Sequence, residues 1–410
     1  MCDTFVALPH YTASGNLIFG KNSDREPNEA QAIIRMPARQ CEEKTVQCTY
    51  ITIPQVRQTN EVILSKPFQM WGAEMGVNQH GVVIGNEAVF TKVKIPRKNN
   101  GLTGMDMLRL ALERTNTAEK AMVCITALLS EFGQDACGGY KNRSFFYHNS
   151  FIIADAREAW VLETAGKNWA AKKVQDYYSI SNGLTIEEDF DLLSADAQLF
   201  ATKKRWRKIG EPFSFRKAYS DWLYTRFGNC KVRRALTSGK LGEQAKKLSA
   251  GEAMGILSTH NKAAENFHPS KCTTASVCMH ATDWINSGQT TGSMVAEIRK
   301  DGPHTVWLTG TSMPCLSVYK PFFLGAPLPY EAVFQPGALP DKSLWWKAEQ
   351  LHRYFCLDYQ EAQQHIQAER KELQWDLLYR EWDLIQKNVP LKELHEFSAK
   401  AVEQYIRLLV

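Results

Sequence analysis

Short β-prone runs joined by tight turns fall into two blocks of this chain, with a stretch of helical period between them, and that alternation leaves few ways to fold. The first block opens with Cys2-Asp3-Thr4-Phe5-Val6-Ala7-Leu8 and Asn16-Leu17-Ile18-Phe19-Gly20-Lys21-Asn22, joined through the turn-rich Thr12-Ala13-Ser14-Gly15. Further strands are expected at Thr49 to Ile53 and Glu61 to Ser65. A hairpin is expected over Trp71 to Val89, turning at Asn78-Gln79-His80-Gly81. From Gly104 to Phe132 the period changes: Met105, Leu108, Leu112, Ala118, Met122, Ile125 and Leu129 recur at roughly helical spacing, predicting two helices broken near Thr115-Asn116. The second block, Ser150 to Asn182, reads as an antiparallel meander with turns at Asp155 to Glu158 and Ala165 to Asn168. Mainly helical, polar sequence is expected over 190 to 260, then strands at Thr273 to His280, Ser293 to Arg299 and Thr305 to Gly310. Sheets built this way need a covering layer, so the pattern predicts an α+β layered fold.

Length and charge narrow the rest. A chain of 410 residues allows one or two domains. From Asp341 onward it is rich in Gln, Glu, Lys, Leu and Trp, with Pro390 ahead of a last helix, which predicts a main domain over 1–325 and a helical extension over 326–410. Trp345, Trp346, Trp375 and Trp382 there suit packing or a subunit contact, so a homo-oligomer is possible. With 49 basic and 44 acidic residues the net charge is +5, too weak a field to point to nucleic acid or an anionic membrane. No run of about 18 apolar residues offers a membrane span. The first residues carry no basic leader and their apolar run ends at Pro9, so a cytoplasmic protein is expected, with its ten cysteines mostly buried, reduced thiols.

Cys2 has a chemistry of its own. Removal of Met1 would leave a thiol and a free α-amine on one residue, and an α-amine titrates near ~7.7–8.0, low enough to accept the thiol proton at neutral pH. If the first hairpin turns near Thr12, paired residues sum to about 24. Cys2 then lies opposite Asn22, with Lys21 and Asp24 at the same strand end. Asp24 would orient the ammonium group and Lys21 would hold negative charge on thiolate or substrate. The plainer alternative is a frayed terminal cysteine beside a solvated charge run, Lys21 to Arg25.

Several blocks tip that choice. Cys2 to Pro9, Ile18 to Arg25, Trp71 to Val89, Gly104 to Arg114, Tyr147 to Asp155, Ala159 to Lys167, Ile180-Ser181-Asn182, Thr273 to Ser276 and Lys320-Pro321-Phe322 together resemble the secernins, a branch of the cysteine dipeptidase family with the N-terminal nucleophile fold. The resemblance implies a layered αββα domain and a cysteine hydrolase that cleaves a small amide or peptide bond, as a dipeptidase, through an acyl-enzyme on Cys2. It maps Lys21 and Asp24 onto positions where related acylases, such as penicillin V acylase, carry an arginine and an aspartate. Lysine there replaces a bidentate fork by a point charge. It maps Asn86 and Asn182 onto oxyanion asparagines, although Asn182 also reads as a turn residue. A further arginine of the family has three candidates, Arg233, Arg234 and Arg299, with nothing local to choose among them. Two alternatives stand: an acylase acting on a non-peptide amide, and a non-enzymatic trafficking or scaffold protein.

No cofactor or metal is expected. Cys272, Cys278 and His280 make a C-x5-C-x-H pattern without paired spacing or a fourth donor, and so read as buried residues. Cys137-Gly138-Gly139 lacks the lysine and hydroxyl of a phosphate loop. His10, His80 and His148 could act as bases, but an N-terminal nucleophile supplies its own.

Overall fold

The computed structural model describes residues 2–208, 210–221, 229–262, 267–282 and 286–409, without the side chains of 363–366. Two antiparallel sheets stack face to face, and each is covered outside by helices. The first has the order β10-β1-β2-β12-β13-β14, from β1 (Cys2–Ala7), β2 (Leu17–Arg25), β10 (Tyr177–Ile180), β12 (Gln289–Ile298), β13 (Thr305–Leu308) and β14 (Lys320–Phe322). The second runs β11-β9-β8-β7-β6-β5-β4-β3, from β3 (Gln31–Met36), β4 (Val62–Pro67), β5 (Met75–Asn78), β6 (Val83–Val89), β7 (His148–Ala154), β8 (Ala159–Ala165), β9 (Asn168–Lys173) and β11 (Leu192–Leu193). The expected αββα layering is what the chain forms.

The period of two decides which residue goes where. Phe19 of the first sheet packs between the layers against Ile63, Met75, Val77, Ile152 and Val161 of the second. The intervening Leu64, Ile84, Phe151, Ile153 and Leu162 point outward to α1 (Gly104–Arg114) and α2 (Ala118–Phe132). Those helices start where their caps permit: Thr103 and Asp106 form a capping box, Thr117 accepts from the Lys120 amide, and Gly133 ends α2 at φ +67°.

The outer face of the first sheet is covered by helices that follow α3 (Ala197–Lys203) and α4 (Phe215–Tyr219). They are α5 (Cys230–Gly242) and α6 (Ala250–Leu257), with α8 (Tyr359–Gln386) and α9 (Leu391–Arg407) against β14. Between β14 and α8 lies α7 (Leu344–Phe355), where Trp345 and Trp346 are buried edge to face and their indole nitrogens donate to Thr291 O and Gly337 O. Trp375 and Trp382 are exposed. No helix among the described residues is long and apolar enough to cross a membrane.

Three local expectations change. Thr49 to Ile53 straddles the turn of a small hairpin that pairs Thr45–Gln47 with Thr52–Pro54. Thr273 to His280 is not a strand: Ser276 N–H turns back to Thr273 O and Cys278 N–H reaches Thr259 O, so the segment wraps over α6 instead of joining a sheet. The meander loses its last member, because β10 leaves β9 and pairs with β1 in the other sheet, Thr4 opposite Ile180.

Candidate active site

The β1–β2 hairpin places Cys2 opposite Ser23 and Thr4 opposite Lys21, so paired numbers sum one higher than the expected register. A 3-10 turn at Pro9–Tyr11 takes up chain ahead of the loop and shifts the centre. A one-residue slip exchanges faces. Lys21 therefore shares the inter-sheet face with Cys2, while Asn22 and Asp24 turn toward the helices, where Asn22 Nδ2 donates to Leu257 O.

Cys2 is buried, and its Sγ accepts the Asp24 backbone N–H at 3.2 Å. Burial pushes its thiol up to about 12, with Lys21 opposing and Glu87 adding to the rise. It is a thiol at neutral pH unless a base within reach takes the proton. Asp24 contributes its amide to Cys2; its carboxylate accepts from the Thr290 hydroxyl at 2.6 Å and is pushed up to about 6 by burial.

Lys21 is fully buried, and its Nζ lies 3.1 Å from Glu87 Oε1 of β6, across the gap between the sheets. Thr4 donates to the same oxygen. Gly85 makes the crossing possible, since a Cβ there would lie 2.6 Å from Lys21 Cδ. A second buried carboxylate, Glu74, accepts from Ser23 Oγ at 2.6 Å and pairs with Arg25 at 3.5 Å.

Strand β10 ends at Ile180 and delivers Ser181 and Asn182 beside the start of β1. The backbone nitrogen of Cys2 donates to Asn182 Oδ1 at 2.9 Å, and Asn182 Nδ2 donates to Ala88 O at 2.9 Å. Arg233, fully buried on α5, donates to Asn182 Oδ1 at 2.5 Å, Ser181 Oγ at 2.8 Å, Thr274 O at 2.8 Å and Asp3 Oδ2 at 2.8 Å. Two donors converging on one atom fix which end of the Asn182 amide is oxygen. Asn86 is not brought to this cluster. Gly85 and Glu87 face the first sheet, so Asn86 between them faces α1, where its Nδ2 donates to Asn149 Oδ1 at 3.1 Å. A cavity of about 640 Å³ adjoins the Asp24–Arg25 end of β2, its walls including Asp24, Arg25, Glu26, Lys141, Phe145 and Gly288.

The sequence profile of Peptidase family C69 matches residues 21–372. The chain belongs to peptidase family C69. Its similarity to a dipeptidase of Bifidobacterium longum (strain NCC 2705) is 27% identity over 221 residues, covering 47% of this C69 chain and 39% of that relative. The alignment thus spans well under half of the relative's length. Among solved structures, a C2A mutant of conjugated bile acid hydrolase from Clostridium perfringens superposes over 78% of this chain and 96% of the other, with 10% identity and a TM-score of 0.43. Penicillin V acylase from Agrobacterium tumefaciens covers 78% and 86%, with 12% identity and a TM-score of 0.43.

The C69 profile begins at Lys21, so Cys2 lies outside the matched segment. Of the three candidate arginines, Arg233 is the one that reaches the cluster; Glu74 and Glu87 were not singled out in the sequence, although acidic residues in otherwise apolar strand runs are a signal that could have found them. Of the histidines, His10 is exposed beside Asp176, and His80 follows the turn residue Asn78, whose side chain accepts its amide. His148 is buried, with Nδ1 3.0 Å from the Thr91 hydroxyl, and burial pushes it down from 6.5 to about 4. The folded chain therefore keeps it neutral while the unfolded chain charges it. Its contribution to stability is complete above about pH 6.5 and is lost as pH falls toward 4. Replacing His148 with Asn is expected to lower stability at pH 7.5, and the gap to wild type should narrow by roughly 2 kcal/mol at pH 5. Denaturant unfolding at the two pH values checks this, and a gap independent of pH contradicts it.

Proposed function

We propose that this C69 chain is a cysteine hydrolase of the N-terminal nucleophile type, acting on short peptides after loss of Met1. The observation that carries the reading is the convergence on Cys2: Asn182 Oδ1 at 2.9 Å from its nitrogen and the Asp24 amide at 3.2 Å from its sulfur. Once Met1 is removed, that nitrogen is an amine beside a thiol held near 12, and Asn182, braced by Arg233, orients it to take the thiol proton. The thiolate attacks the amide carbonyl, the protonated amine returns its proton to the leaving nitrogen, and water hydrolyses the acyl-enzyme. Lys21 acts through the field that favours the thiolate, not as a substrate anchor, because Glu87 already occupies its charge. Asn182 stays in the reaction; Asn86, turned to the helix side, positions β6 through Asn149.

The charged groups on the cavity wall suit a short peptide. The Glu26 carboxylate and the Lys141 ammonium suit its charged termini, and the apolar remainder of the wall, Pro27 and Phe145 among it, suits its side chains. The test combines intact-mass analysis with a panel of dipeptides and N-acyl amides. Loss of Met1 and turnover of dipeptides at least tenfold faster than acyl amides is expected. Active protein retaining Met1 overturns the mechanism, and faster acyl-amide turnover overturns the substrate class.

A further inference from the structure

Beyond α6, on the helix side of the first sheet, four potential metal ligands from three separate segments meet. His260 follows α6, Cys278 and His280 lie in the irregular segment before β12, and Cys315 sits in the 3-10 turn Pro314–Leu316 between β13 and β14. Their ligating atoms all lie within 4.8 Å of one another. His280 Nε2 is 3.2 Å from His260 Nε2, 3.3 Å from Cys315 Sγ and 3.8 Å from Cys278 Sγ.

One ring nitrogen makes a single in-plane hydrogen bond, as donor or as acceptor. Three approaches to the same nitrogen therefore cannot all be hydrogen bonds. A shared cation at the centre satisfies all of them. Zn–S bonds of about 2.3 Å and Zn–N bonds of about 2.0–2.1 Å in a tetrahedron require ligand edges of about 3.3–3.8 Å. The three separations from His280 Nε2 match that within a few tenths of an ångström, and the remaining pairs close to within 4.8 Å, a distance that small side-chain rotations bring onto a shared ion.

We propose that His260, Cys278, His280 and Cys315 form a structural zinc site. Two thiolates balance the charge of the ion, soft sulfur with imidazole selects zinc over magnesium or calcium, and four protein ligands leave no open position for catalysis. Cys278 and His280 are buried, while His260 and Cys315 line a cavity of about 770 Å³ that gives the ion a way in. The surroundings hold the donors in place. Asn286 Nδ2 donates to His280 O at 2.8 Å, Cys278 N–H to Thr259 O at 2.9 Å, and the Tyr359 hydroxyl lies 3.7 Å from Cys315 Sγ. The C-x5-C-x-H pattern missed the site because its remaining donors are distant in sequence and Cys272 is outside the cluster.

The zinc segment also braces the first sheet. Val277 O accepts from Asn22 Nδ2 at 3.0 Å, and Met279 N–H donates at 2.9 Å to the Thr290 hydroxyl that holds Asp24. The ion thus ties α6, the 277–280 segment and the β13–β14 turn behind the strand that carries Lys21 and Asp24.

Full-length protein from zinc-supplemented medium, purified without chelator, is expected to carry ~1 zinc per chain by elemental mass spectrometry. Exchange with Co(II) should give a thiolate-to-cobalt charge-transfer band and the intense visible bands of a tetrahedral site. Cys278→Ser and Cys315→Ser should lose the metal. His260→Ala, on the partly exposed flank, should bind zinc at least tenfold more weakly. The wild-type cobalt spectrum decides the matter even where a cysteine variant fails to fold. Wild-type protein without zinc or cobalt bands, variants retaining full zinc, or a Cys278–Cys315 disulfide in the native protein overturns the proposal.

Discussion

Replacing Cys2 with alanine should reduce dipeptide hydrolysis by at least ~1,000-fold, because the attacking sulfur is lost while the Ser23 hydroxyl opposite it is held by Glu74. Folding should survive the change: the lost sulfur accepts one backbone amide, from Asp24, and β1 keeps its pairing on both sides. Cys2→Ser should retain only a trace of activity, since an alkoxide is far harder to form than a thiolate in a setting that already pushes the thiol to about 12. The same value shapes the pH profile. Activity should rise as the freed amine loses its proton near ~8, with no inflection at the titration of an ordinary thiol. Steady-state kcat/KM on the best dipeptide of the panel, for wild type and both variants, measures these effects. A Cys2→Ala protein within tenfold of wild type sinks the nucleophile assignment.

The second large effect concerns the ion pair between the sheets. Lys21→Met should destabilise the protein by about 3–5 kcal/mol, the usual cost of leaving a buried charge without its partner. Burial already raises Glu87 to about 7, with Lys21 pulling the other way. Removing Lys21 lets the carboxyl rise further. A folded carboxyl raised above its unfolded value favours the protonated state, so the variant should lose stability as pH climbs from 5 to 8. The double variant Lys21→Met/Glu87→Gln should regain most of the loss, because an amide needs no counter-charge. Thermal melts of the single and double variants at pH 5 and 8 test the cycle. Equal losses at both pH values, or a double variant as weak as the sum of the singles, would show that the pair carries no such coupling.

Much of the architecture was legible because it rests on local rules. The hairpin at Asn78 to Gly81 and the break at Thr115-Asn116 follow from turn and cap chemistry that needs no distant partner. What escaped depends on tertiary choice. Nothing within Tyr177 to Ile180 says that this run pairs with β1 and not with β9; the decision lies in the edge that β1 leaves open. The register of the first hairpin turned on one residue in the loop, and that residue decided whether Lys21 or Asp24 faced the sulfur. Arg233 was one of three indistinguishable arginines until α5 carried it against Asp3 and Asn182.

The departure of β10 from its own sheet has a mechanical meaning. The chain crosses from one layer to the other just before Tyr177, where Leu8 N–H meets Asp176 O, and Cys2 lies at the far end of β1, about 20 Å along the strand. The two layers are joined by chain at that end and again at the other, where β2 ends at Arg25 and β3 of the second sheet begins at Gln31, with the Lys21–Glu87 and Ser23–Glu74 contacts bridging the layers beside the second crossing. The sandwich is thus tied by its own backbone at both ends of β1, and the Cys2 sulfur sits where the second tie meets the buried carboxylates.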